Sequence, residues 1–257
     1  GVVMQYALDH PVLSLTLQSP VSPYGFGGTR RDGSRLTDDD AGCGGGGANP
    51  DFIQRLIDHD TSDDAQTSPR SVFRAGYVAS DYTTDHEDVW VESMLTTSTA
   101  DGNYPGDAVP SDNWPGFAAG RHGVLNTMAP QYFDVSGIVD LAEKPPILWI
   151  HGTADAIVSD ASFYDLNYLG QLGIVPGWPG EDVAPAQEMV SQTRDVLGRY
   201  AAGGGTVTEV AVEGAGHSAH LERPAVFRHA LLEIIGYVGA AADPAPPTEA
   251  IIIRSAD

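Results

Sequence analysis

Four consecutive apolar residues, Ile147-Leu148-Trp149-Ile150, follow Pro145-Pro146 and run into His151-Gly152-Thr153-Ala154-Asp155. The run is too short for a helix. It is apolar at both odd and even positions, so as a strand it has two faces to bury, which suits a parallel sheet covered by helices on either side. Residues 206–212 read as another strand, after the breaker Gly203-Gly204-Gly205 and before Glu213-Gly214-Ala215-Gly216-His217. Residues 12–17 read as a further buried strand, closed by the turn-prone Gln18-Ser19-Pro20-Val21-Ser22-Pro23. Helical spacing is found over 1–8, 159–172, 184–200 and 224–238. Phe227, Leu231, Ile234 and Val238 make the stripe of the last of these, and Pro224 suits its first turn. The expected fold class is α/β, a mostly parallel sheet flanked by helices.

From about Tyr24 to Ala142 the texture changes to Gly, Asp, Ser, Pro and scattered aromatics, with short helical patches at 51–57 and 88–95. This stretch reads as an insertion or lid outside the sheet core. The chain then divides into a core helix and strand (1–22), a lid or cap (23–142), and a core α/β portion carrying an acid and a histidine (143–240). Residues 241–257 form a tail expected to be mobile, within which Ile251-Ile252-Ile253 is suited to pairing along an exposed edge. Gly42-Cys43-Gly44-Gly45-Gly46-Gly47 lacks the Lys-Ser/Thr of a phosphate loop and follows Asp38-Asp39-Asp40, so it reads as a lid hinge. Tyr24, Phe26, Trp90, Tyr104, Trp114, Phe117 and Trp178 lie in or beside the lid, either as an apolar pocket wall or as its own packing.

Across 257 residues, 13 Lys+Arg stand against 35 Asp+Glu, a formal charge of −22. Such a surface repels phosphate backbones and acidic headgroups, which argues against nucleic-acid and membrane partners and for neutral or cationic ones; the expected partner is an uncharged small-molecule substrate. No apolar run is long enough to span a bilayer, and a cytoplasmic location is expected. Cys43 is the only cysteine, so neither an intrachain disulfide nor a multi-cysteine zinc cluster can form, and no adjacent basic group activates its thiol. His220 follows His217 by three residues, but no H-E-x-x-H pattern or third ligand accompanies them. Asp58-His59-Asp60 and Asp85-His86-Glu87-Asp88 read as solvated acidic faces. No metal and no cofactor is expected.

Asp155 and His217 each follow a strand. The carboxyl ends of parallel strands open on one crevice, so this acid and this histidine can meet there despite their separation in sequence. A carboxylate accepting the Nδ1 proton fixes the imidazole tautomer and leaves Nε2 to take a proton from a nucleophile or water. Asp160 competes with Asp155 for the acid position, and Ser19 and Ser22 are weaker candidates facing the same crevice.

Gly152-Thr153-Ala154-Asp155-Ala156-Ile157-Val158, and Gly216-His217 ahead of Pro224, resemble the C-terminal part of an α/β-hydrolase. The likeness covers roughly 1–22 and 143–240. It implies Asp155 as the acid of a catalytic triad, His217 as its general base, and hydrolysis of an ester-like substrate. The family's nucleophile sits in a G-x-S-x-G elbow ahead of the acid, and no serine here has that context. Gly1-Val2-Val3-Met4-Gln5-Tyr6-Ala7-Leu8-Asp9-His10-Pro11 is similar to the helix that follows the elbow. The expectation is therefore a nucleophile upstream of Gly1, serine or aspartate, with the first strands of the sheet also missing and either an N-terminal partner chain or a homodimer completing it. The competing expectation is an inactive fragment or binding module that keeps the lid pocket.

Overall fold

The computed structural model describes residues 1–236 and 250–255. Its centre is a four-stranded sheet of β1 (Leu15–Gln18), β4 (Ile147–Gly152), β5 (Val207–Val212) and β6 (Ala250–Arg254), in the order β1-β4-β5-β6. The first three are parallel, in register Leu15↔Ile147 and Ile147↔Val207, and β6 runs antiparallel to β5. β4 is buried at all six positions because alternate residues point into different covers. Ile147 and Trp149 pack with Met4 and Ala7 of α1 (Val2–Asp9) and with Val196, Leu197 and Tyr200 of α6 (Met189–Ala202). Leu148 and Ile150 pack with Ala219 of α7 (Ala219–Glu222) and with Val226 and Ala230 of α8 (Pro224–Ile234).

Several boundaries differ from the sequence reading. The strand expected at 12–17 begins at Leu15, whose amide bonds to Pro146 O; Leu13 before it is 96% exposed. The helix expected at 159–172 is the short α5 (Leu166–Gln171), since Asp165 is extended and caps it by accepting from the Asn167 amide at 3.0 Å. Residues 184–188 stay outside α6, which starts at Met189. Of the tail expected to be mobile, Ala250–Arg254 is a paired strand, whereas 241–249, like the end of the helix expected to reach Val238, lie outside the described residues.

Residues 23–142 give no strand to the main sheet. They hold α2 (Pro50–Ile57), α3 (Pro69–Val72) continued by a π turn over Phe73–Tyr77, α4 (Glu87–Leu95), and a hairpin of β2 (Ala108–Pro110) and β3 (Phe117–Ala119). Their helical core is small: Leu56, Val91 and Leu95, joined by Phe52 and Tyr104. Charge supplements it. Arg55 binds Asp51, Asp60 and Asp64; Arg70 binds Glu87 and Asp88; Arg74 binds Asp63 and Glu87. The acidic runs 58–60 and 85–88 thus partly serve as partners for arginine.

The glycine run at 42–47 is packed, which does not fit a hinge. A Cβ on Gly45 would lie 2.4 Å from Gly106 O, and the Gly45 amide bonds to Asn126 Oδ1 at 2.8 Å. Strap 22–30 is fastened to the core by two buried amides. Gln187 receives the Gly27 amide at 2.5 Å and donates to Gly25 O and Thr29 Oγ1; Gln192 accepts from Ser22 Oγ at 2.6 Å and donates to Thr29 Oγ1 and Arg30 O. No helix among the described residues is long and apolar enough to cross a membrane.

Candidate functional site

The loops after β4 and β5 are tied together before either presents a side chain. Thr153 N bonds to Val212 O at 3.0 Å, Ala154 N to Ala215 O at 2.9 Å, and Gly214 N to Thr153 Oγ1 at 2.9 Å. Only glycine permits this approach at position 152, where a Cβ would fall 2.1 Å from Ala215 O and 2.2 Å from Gly216 O.

Asp155 leaves the first loop buried. Its Oδ1 accepts the amides of Ile157 and Val158 at 2.8 and 2.9 Å, which orients the carboxylate and frees Oδ2. Oδ2 meets His217 Nδ1 at 2.9 Å. A carboxylate only accepts, so Nδ1 carries the proton and Nε2 of the neutral ring carries the lone pair. The His217 side chain is 22% exposed and the Asp155 side chain 1%, so the histidine is the member of the pair that solvent or a ligand can reach. No hydroxyl or thiol among the described residues is hydrogen-bonded to Nε2.

The backbone of His217 is held from several directions. Gln18 Nε2 and Ser19 Oγ, at the end of β1, donate to its carbonyl at 2.6 and 2.9 Å. The Ser218 amide bonds to Tyr77 O at 2.8 Å, and the Tyr77 ring stands edge-on to the imidazole, centroids 5.9 Å apart. Glu222 accepts from Gly216 N at 2.7 Å and Ala79 N at 3.0 Å.

The other candidates fall elsewhere. Asp160 is taken up by the amide and hydroxyl of Ser191 at 2.9 and 2.6 Å. Ser19 braces the histidine's backbone, and Ser22 belongs to the strap fastening. Cys43 is buried beside Gly27 and Gly28, and burial raises its thiol pKa well above the usual range. His220 is the second residue of α7, with burial lowering its pKa and its Nδ1 unbonded. Trp114 and Trp178 enclose Gly170 of α5, with their indole N–H groups on Pro176 O and Ala184 O. They serve packing there.

A second histidine–acid pair was not singled out by the sequence reading. His151 Nε2 lies 3.0 Å from Glu209 Oε1, both side chains 8% exposed, with Trp149 stacked on the imidazole and Arg194 donating to the same carboxylate. Burial pushes the Glu209 carboxyl up, but the bonds from His151 and Arg194 outweigh it and pull it down to about 2. It is sealed between sheet and helix, so its chemistry is structural. Two histidines, one on β4 and one in the loop after β5, thus have carboxylate partners, and exposure separates them. In comparisons with known proteins, no family model, curated protein or solved structure matches this chain.

Proposed function

We propose that the chain carries the acid–base part of a hydrolase of the α/β-hydrolase type, acting on an uncharged, ester-like small molecule. His217 is the general base and Asp155 the acid that orients it and stabilises its protonated form; among the described residues no hydroxyl or thiol is hydrogen-bonded to Nε2. The supporting observation is the 2.9 Å contact between Nδ1 and a buried carboxylate at the carboxyl ends of adjacent parallel strands, with Nε2 unengaged. With a serine nucleophile, Nε2 would take the hydroxyl proton as the oxygen closes on the ester carbonyl, give it to the leaving alcohol, and then take a proton from the water that hydrolyses the acyl-enzyme; an aspartate has no proton to give, and there Nε2 would activate only the water.

Hydrolysis of p-nitrophenyl acetate by the native protein, with His217→Ala and Asp155→Asn alongside, tests this. Loss of turnover with His217→Ala and a fall of roughly 10⁴-fold with Asp155→Asn are expected, because the amide would favour the wrong tautomer. A fluorophosphonate probe separates the two nucleophiles, labelling serine and sparing aspartate. Turnover that survives His217→Ala unchanged counts against the reading. The unengaged Nε2 also suits a binding module without chemistry, which the same assay would reveal by giving no turnover at all.

A further inference from the structure

One tyrosine, Tyr77, packs against the imidazole of the His217–Asp155 pair, and two more, Tyr104 and Tyr164, are coupled to it. Tyr24, Tyr82 and Tyr200 use their hydroxyls in hydrogen bonds, but those of Tyr77, Tyr104 and Tyr164 have no partner among the described residues. Tyr77 is the ring packed edge-on against His217. Tyr164 follows Asp155 by nine residues and lays its hydroxyl on Gly76, next to Tyr77, where a Cβ would lie 2.2 Å from the phenol oxygen. Tyr104 stands edge-on to Phe52 at 6.3 Å, within electrostatic reach of the Tyr77 hydroxyl; Tyr164 senses Tyr77, Tyr104 and Asp155. Burial raises the Tyr77 phenol and pushes those of Tyr104 and Tyr164 up to about 12, so all three are neutral donors at ordinary pH.

A partly exposed phenol loses nothing while water reaches it, but a ligand that displaces the water without offering an acceptor binds about tenfold or more weakly per hydroxyl. An anionic ligand meets the Asp155 charge and phenols that do not neutralise it. We propose that Tyr77, Tyr104 and Tyr164 form a donor-lined subsite for an uncharged, oxygen-rich acyl group, carrying ether, hydroxyl or further ester oxygens, in preference to a plain alkyl chain. The ring edges and faces supply apolar contact, and the hydroxyls select for acceptors. This deepens the hydrolase reading and rests on it.

The test uses two isosteric esters, p-nitrophenyl 3-methoxypropanoate and p-nitrophenyl pentanoate, with rates corrected for hydroxide-catalysed hydrolysis. The native protein should favour the methoxy ester in kcat/KM by roughly tenfold, the equivalent of one well-made hydrogen bond. Tyr77→Phe, Tyr104→Phe and Tyr164→Phe, which keep the rings, should each reduce the ratio, and the triple variant should bring it to about one. In parallel, ligand-observed NMR measures binding of the N-propyl amides of the same acids, which needs no turnover. A binding preference for the methoxy amide that the triple variant abolishes, with neither ester hydrolysed, upholds the subsite and removes the hydrolase reading. Hydrolysis that depends on His217 but shows no methoxy preference, or a preference that survives the triple variant, overturns the subsite and leaves the hydrolase reading standing. Absence of preference in both assays also overturns it.

Discussion

Glu222 holds the amide of Gly216 at 2.7 Å, so the residue just before His217 is fixed by a carboxylate from the helix just after it. The other oxygen of Glu222 holds the Ala79 amide, which couples the histidine loop to the segment that carries Tyr77. Glu222→Ala leaves two buried N–H groups without acceptors. A loss of roughly 2 kcal/mol or more in denaturant unfolding is expected, together with about a tenfold fall in ester kcat/KM, since the imidazole loses its support. Glu222→Gln keeps one acceptor and should lie between. Unchanged stability and activity in Glu222→Ala would remove the bracing role.

Gly152→Ala places a methyl group within 2.2 Å of two carbonyl oxygens in the loop that leads to His217. Relief requires the loops after β4 and β5 to separate. The expected penalty is about 1–3 kcal/mol, as for other overpacked sites, seen as a lowered Tm. A wild-type melting curve for the variant would show that the loops have slack.

Glu209 predicts how stability depends on acid. Its carboxyl titrates at about 2 in the fold against an ordinary 4.5. A depressed folded value means that the stabilisation is complete above 4.5 and disappears as pH falls towards about 2. Glu209→Gln, which breaks the buried pairing with His151 and Arg194, should cost about 3 kcal/mol at pH 7, and the gap to wild type should shrink progressively below pH 4.5. A gap that stays constant between pH 5 and 2.5 contradicts this origin.

Cys43 is 2% exposed, with its thiol held protonated by burial. Ellman's reagent should react with it only as the protein unfolds, at a rate that follows denaturant rather than thiolate concentration. Rapid labelling of the folded protein would show that the glycine-rich packing around it opens.

The parts of the fold readable in the sequence were those whose pattern is enforced locally. β4 is apolar at consecutive positions because the sheet is covered twice, and Asp155 and His217 stand out because each follows a strand. The Ile251–Ile253 run likewise declared its edge pairing with β5. What was not readable depends on distant residues meeting. Tyr77, Tyr164, Gln18 and Glu222 acquire their roles only once a π turn, the Asp155 loop, the end of β1 and α7 converge, and none has a neighbourhood in sequence that signals this. The β2–β3 hairpin escaped because Ala108, Val109 and Pro110 are all exposed and show no alternation. Glycines 44–46 suggested freedom by composition, yet their missing side chains are what let Gly106, Phe117 and Ala119 press against them.

The carboxamides of Gln187 and Gln192 act together as a single latch. Because Gly27, Thr29, Ser22 and Arg30 all converge on these two side chains, strap 22–30 cannot peel away residue by residue; release at one contact leaves the remainder strained and short of partners. Excursions of the strap should therefore be rare and concerted, and the Gly27 amide should exchange with solvent in step with its neighbours rather than ahead of them.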